Sequence, residues 1–151
     1  MKIYLASDHA GFELKEQIKN FLKEKNYDIE DCGAFSFAEG DDYPDFIKPA
    51  AMKVSQDASS FGVIFGKSGA GEAIVANKFK NVRAVQGFSE ENVRLSREHN
   101  NANILSLGSE FVDFDKAKLF VDVFLQTAFS GEERHLRRIN KIKEIEQKNY
   151  A

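Results

Sequence analysis

Three short segments of this sequence hold residues able to move protons or grip an anion. Ser7-Asp8-His9-Ala10-Gly11, Gly66-Lys67-Ser68-Gly69-Ala70-Gly71-Glu72 and Gly87-Phe88-Ser89 each follow an apolar run that reads as a strand. The second is the richest. Gly66, Gly69 and Gly71 let the backbone approach a ligand and turn its N–H groups outward, and a helix opening at Ala70 adds the positive end of its dipole. Such a loop can hold a phosphate, or an oxyanion that develops during a reaction. Glu72 favours the oxyanion, because a carboxylate there would repel a resident phosphate. It would serve instead as base toward a neutral carbon acid whose oxyanion rests on the N–H groups, which describes enolisation. So close to a helix N-terminus, Glu72 is expected to be ionised at neutral pH. A first-turn carboxylate that only complements the dipole is the plainer reading of the same residue.

Three nucleotide or acyl motifs come near the loop and fail. A P-loop would need glycine where Phe61 stands, and a dinucleotide fingerprint starting at Gly69 would need glycine in place of Ile74. A hydrolase nucleophile elbow around Ser68 would need glycine at Ala70.

The remaining polar candidates each carry an ordinary structural alternative. Asp8 reads as proton-transfer partner or helix cap. His99, before Asn100 and Asn101, is either chemical or a capping residue, and Tyr43-Pro44-Asp45 is either a ligand wall or a turn into a helix. Arg134 and Arg138, four apart, share a helix face and could grip one phosphate, although a solvated basic face is the usual meaning of such a run. His9, His99 and His135 are scattered and Cys32 is alone, so no zinc ligand set is apparent.

The elements that must position these residues alternate. Strands are expected at Ile3–Ala6, Tyr27–Asp31, Gly62–Phe65, Arg83–Gly87 and Asn103–Leu107. Helices are expected after Phe12, from Asp45 with Pro49 near its first turn, over Ala70–Lys78, after Ser89, from Asp115, and over Gly131–Gln147. The last has Leu136, Ile139, Ile142 and Ile145 as its apolar stripe. Strands alternating with helices predict an α/β, Rossmann-like three-layer sandwich around a five-stranded parallel sheet, formed by residues 1–151 as one domain. Ligands bind such sheets beyond the carboxyl ends of the strands.

Composition narrows the setting. The 151 residues carry 21 Lys and Arg against 24 Asp and Glu, a net charge of −3 that argues against nucleic acid as partner. No apolar run is long enough for a membrane span. The absence of a signal-like start, with a lone cysteine, leads to the expectation of a cytoplasmic protein.

Taken together, the segments resemble the sugar-phosphate isomerase family of ribose-5-phosphate isomerase type B and the galactose-6-phosphate isomerase subunits. The resemblance runs through Ser7-Asp8-His9-Ala10-Gly11, Asp42-Tyr43-Pro44-Asp45, Gly66 to Lys78, Ser96-Arg97-Glu98-His99-Asn100-Asn101-Ala102 and Arg134-His135-Leu136-Arg137-Arg138. It implies interconversion of ribose 5-phosphate and ribulose 5-phosphate through a cis-enediolate, in the pentose phosphate pathway, without metal or cofactor. One branch of the family uses a cysteine base where this sequence has Gly66; the other uses a glutamate at Glu72, and this chain resembles the second. Cys32 lies outside the motif.

By the same resemblance, Ser68 helps move the proton between the sugar oxygens and the N–H groups of Gly69, Ala70 and Gly71 hold the enediolate. His99, assisted by Asp8, opens the furanose ring, while Tyr43 and Asn100 line the sugar site. His9, Arg134 and Arg138 bind phosphate. Family members are dimers or tetramers with interfacial sites, which implies a C-terminal helix reaching a partner subunit. Where many members carry a phosphate-binding arginine after the fifth strand, this chain has Glu110, and Lys67 could compensate its charge. A hexose 6-phosphate such as allose or galactose 6-phosphate, or a noncatalytic sugar-phosphate- or nucleotide-binding module, are the rival readings.

Overall fold

The alternating pattern folds as a five-stranded, wholly parallel sheet with helices on both faces, in a computed structural model that describes residues 1–150. In chain order the elements are β1 (Lys2–Ser7), α1 (Phe12–Glu24), β2 (Asp28–Asp31), α2 (Tyr43–Gln56), β3 (Phe61–Gly66) and α3 (Ala70–Ala76). There follow β4 (Ala84–Gln86), α4 (Glu90–Asn100), β5 (Ile104–Gly108), α5 (Phe114–Gln126) and α6 (Glu133–Asn149). The strands lie in the order β2-β1-β3-β5-β4.

Strand side chains point alternately to the two faces. Ile3, Leu5, Val63, Phe65, Leu105 and Leu107 form one core with Leu14 and Ile18 of α1, Val93 of α4 and Phe124 of α5. Their neighbours Tyr4, Ala6, Ile64 and Ile104 pack the opposite face against Ile47 and Val54 of α2 and Ala76 of α3. Burial on both faces is why β1, β3 and β5 read as nearly unbroken apolar runs. Each fully buried large side chain contributes about 1.5–3 kcal/mol.

Several boundaries differ from the expectation for physical reasons. α2 starts at Tyr43 after Asp42, so Pro44 occupies its first turn and Pro49 lies inside the helix rather than near its start. The buried face of Ile47, Ala50, Ala51 and Val54 holds that helix together across the lost N–H bond. α3 stops at Ala76 because the Asn77 amide turns away to bond both backbone groups of Ala84, at 2.8 and 2.9 Å. On α6 the expected stripe is mostly exposed: Ile139 is buried, Leu136, Ile142 and Ile145 are not, and His135 is buried in their stead. This helix lies outside the two helical layers, with its inward face against α4.

Two consequences position the site. The connections leave β1 and β3 in opposite directions, opening a crevice at their carboxyl ends. Gly11 lets the turn after β1 close on β3, since a Cβ there would meet the Phe65 carbonyl and Gly66 nitrogen at 2.5–2.7 Å. α4, by contrast, descends to the amino-terminal edge of the sheet. There the Arg83 Nε, just before β4, donates to the carbonyls of Asn100 and Asn101 at 3.0 Å. His99 and Asn100 therefore sit a strand's length, about 15 Å, from the crevice.

Candidate active site

β1 and β3 deliver the chemistry. At the end of β1, Asp8 is buried and accepts the Gly11 N–H at 3.1 Å. At the end of β3, the carbonyls of the glycine loop are all engaged from one side. Gly66 and Lys67 accept from the N–H groups of Ser109 and Glu110 at 2.9 and 3.0 Å. Ser68 accepts from the Gln86 amide at 2.6 Å, and Gly69 from the Ser106 hydroxyl at 2.7 Å. In a trans peptide the N–H points opposite to the carbonyl. The N–H groups of residues 67–70 consequently face away from those donors, and the first N–H groups of α3 join them. Gly69 makes the turn at φ +82°, a conformation that glycine adopts without strain. Ser68, exposed, turns its hydroxyl back to accept the Ala70 N–H at 3.2 Å.

Glu72 sits in the first turn of α3 with 3% of its surface exposed, directed at Gly66, whose missing Cβ leaves room for the carboxylate. Burial raises its pKa above the ordinary glutamate value; the N–H groups of Glu72 and Gly69 pull the other way, and Asp8 adds to the rise. The expected effect of the helix N-terminus is thus outweighed by desolvation, which makes Glu72 a stronger base than a solvated carboxylate. Tyr43 leans over Gly71, whose added Cβ would lie 2.7 Å from the Tyr43 Cζ.

His9 is organised by a residue the sequence did not single out. Asp41 Oδ1 accepts the His9 backbone N–H at 2.8 Å and lies 2.6 Å from its Nδ1. The bond to Asp41 raises the His9 pKa, with Asp8 and Glu39 adding to it against burial, and this favours a cation beside the crevice. Lys15, fully buried, anchors the loop that carries Asp41 by bonding Asp31 at 2.7 Å and the Ala34 carbonyl at 2.6 Å. Asp41 is 32 residues from His9, so no local spacing reveals the pair. Asp8, His9 and Asp41 also place three ligand-type atoms within 4.8 Å of one another. Of these three residues, His9 Nδ1 and Asp41 Oδ1 are already paired with each other at 2.6 Å.

The remaining expected residues divide between the glycine loop and the far edge of the sheet. Lys67 and Glu110 face each other across 4.0 Å, both exposed, so the Glu110 charge meets Lys67. His99 and Asn100 are at the far edge of the sheet, where His99 stacks on His135 of α6. Arg134 and Arg138 are exposed on α6, with Arg134 Nε 3.0 Å from Glu132. Within one chain, Asp8 is brought close enough to Glu72 to raise its pKa, while His99 is not brought to Asp8. Cys32, just after β2, is half-buried, its thiol pushed up to about 11 by burial and by Asp31, which suits packing better than proton transfer. Among the described residues no helix is long and apolar enough to cross a membrane.

A doubly wound α/β protein with a buried carboxylate over outward-facing amides at its switch point has the parts of an acid–base enzyme acting on an anionic intermediate. Comparison with known proteins narrows that class. A family model described as Ribose/Galactose Isomerase matches residues 3–142, and the chain belongs to that family. It is 43% identical over 151 residues to ribose-5-phosphate isomerase B of Mycolicibacterium paratuberculosis, covering 100% of this chain and 95% of that protein. Clostridium thermocellum ribose-5-phosphate isomerase B superposes with a TM-score of 0.94 at 42% identity, each chain fully covered. The Mycoplasma genitalium isomerase B, crystallised with bound ribulose-5-phosphate, gives 0.93 at 41% identity, covering 97% of this chain and 96% of that one.

Proposed function

We propose that this chain is an aldose–ketose isomerase interconverting ribose 5-phosphate and ribulose 5-phosphate. The observation that carries the reading is the buried Glu72 carboxylate lying between the Gly66 backbone and the amides of α3. Its relatives' names, and the ribulose-5-phosphate in the Mycoplasma genitalium isomerase, support this substrate.

Glu72 takes the proton from C2 of the opened aldose, the electron pair moves toward the C1 carbonyl, and the charge that collects on oxygen rests on the N–H groups of Gly69, Ala70 and Gly71. Each such donor is worth about 2.7–4 kcal/mol in the transition state. Ser68 passes the hydroxyl proton from O2 to O1, and Glu72 returns its own proton to C1. Tyr43 bounds the sugar over Gly71, and His9 meets the phosphate as a cation.

The reading includes a second copy of the chain. Ring opening by His99 with help from Asp8, and phosphate binding by Arg134 and Arg138, need these residues at one site, but His99 and Asp8 occupy opposite edges of the sheet. A symmetric pair that lays α4 and α6 of one copy against the crevice of the other completes both sites. A metabolic role in the cytoplasm follows from the same substrate.

Loss of deuterium from C2 of ribose 5-phosphate to solvent, measured with a chelator present beside allose and galactose 6-phosphates, tests the proposal. Exchange and turnover highest for the pentose are expected. A hexose preference moves the substrate assignment, and no exchange with any sugar phosphate leaves a binding protein.

A further inference from the structure

His99 and His135 face each other at the junction of α4 and α6. Their ring centroids are 4.2 Å apart and their planes 15° from parallel. His135 is 5% exposed, and its Nε2 is buried with no hydrogen-bond partner among the described residues; Glu132 comes no nearer than 4.0 Å. Packing alone gives no reason for histidine here, because an apolar ring would fill the space without stranding a buried nitrogen. The junction is also fastened on both sides of the stack. Ser130 N–H donates to the Glu98 carbonyl at 3.1 Å, and Arg97 Nε donates to the Thr127 carbonyl at 3.1 Å. The start of α6 is thereby held to the last turn of α4, where His99 sits.

We infer that His135 is a positioning residue, whose stacked ring sets the orientation from which His99 reaches the sugar ring oxygen in the site of a second copy. The inference rests on the isomerase reading above. Burial lowers the His135 pKa, with the charges of His99, Arg134 and Arg138 acting in the same direction and Glu132 opposing. His135 thus stays neutral, so the stack remains attractive when His99 takes up a proton. Without that face, the His99 ring turns freely about its side-chain bonds, and an ångström of misplacement at a proton-transfer group costs up to about a hundredfold in rate.

The two substrates separate this role from a general structural one. Ribose 5-phosphate must be opened before it can enolise. Ribulose 5-phosphate has no ring to open, since its C5 oxygen is esterified, so exchange of its C1 hydrogen with solvent reports enolisation without ring opening. His135→Ala is expected to lower kcat on ribose 5-phosphate at least about tenfold while leaving C1 exchange of ribulose 5-phosphate within about twofold of wild type. His135→Phe, which keeps a stacked ring, is expected to restore most of the loss. Equal loss in both assays overturns the inference, as does failure of phenylalanine to rescue a folded enzyme. Wild-type protein without C1 exchange would instead remove the enediolate reading, and this proposal with it.

Discussion

The Glu72 carboxylate occupies the space that a side chain on Gly66 would need. A Cβ built at position 66 overlaps Glu72 Oε1 and lies 2.6 Å from Oε2. The two positions therefore compete for one volume beside the outward-facing amides, and only one of them can present a base there. This gives a physical reason why a cysteine at the first position and a glutamate at the second would be alternatives. Gly66→Ala is expected to displace the carboxylate and lower kcat about a hundredfold or more with the fold retained, as steady-state kinetics and circular dichroism would report. A Gly66→Cys, Glu72→Ala double variant should outperform Glu72→Ala alone by at least about tenfold. Its acid limb should move toward the thiol range near 8.5. A double variant no better than the single one would mean that the two positions do not serve the same carbon.

The raised pKa of Glu72 has two consequences of opposite sign for activity and stability. With Glu72 as the proposed base, turnover needs its carboxylate, so kcat should fall with decreasing pH through a value above the ordinary glutamate range near 4.3. Asp8→Asn keeps an oxygen for the Gly11 N–H but removes the neighbouring charge, and so should move that limb to lower pH. For folding, a glutamate whose native pKa is raised favours the native state below the unfolded value and loses that advantage as pH rises through the native one. Glu72→Gln should therefore melt above wild type at neutral pH while losing most of kcat, about a hundredfold or more. Calorimetry at pH 4 and pH 8 should show the gap only at the higher pH; a gap independent of pH would show that the carboxylate's burial is not its source.

Asp41 makes His9 a cation over a wider pH range. Its Oδ1 takes both the backbone N–H and the Nδ1 contact of His9, and the imidazole pKa rises accordingly. Asp41→Asn should raise KM for ribose 5-phosphate about tenfold near pH 7.5, the scale of one charge-assisted bond to phosphate, with kcat little changed. In the wild type KM should climb as pH rises through the raised His9 value, and in the variant that climb should begin at lower pH. An unchanged KM profile would remove His9 from the phosphate end of the site.

What the sequence disclosed, and what it did not, follows from the range of the interactions. The central strands and the glycine loop were legible because short apolar runs and turn residues are local signals: Val63, Ile64 and Phe65 are each buried, and Gly69 does adopt the left-handed turn. The raised pKa of Glu72 was not legible, because it depends on burial and on Asp8, which is 64 positions away. Asp41 and Lys15 act across the fold from their partners, which no spacing reveals. The α6 stripe misled for a related reason, since periodicity marks an apolar face without saying what covers it, and His135 took the buried place.

The separation of His99 from Glu72 allows a test that needs no structure of the assembly. In a symmetric pair with sites built across the interface, a Glu72→Gln copy joined to a His99→Asn copy has one site with both defects and one with neither. Each variant alone should be nearly inactive. Equal amounts, unfolded together and refolded, should form mixed pairs in half of the assemblies, restoring about a quarter of wild-type activity by that count. Arg138→Ala mixed with Glu72→Gln should behave the same way if α6 serves the other copy's phosphate, with the recovered activity showing the wild-type KM. Mixtures that stay as inactive as their components would require each chain to use its own His99, an arrangement that the opposite courses of β3 and α4 oppose.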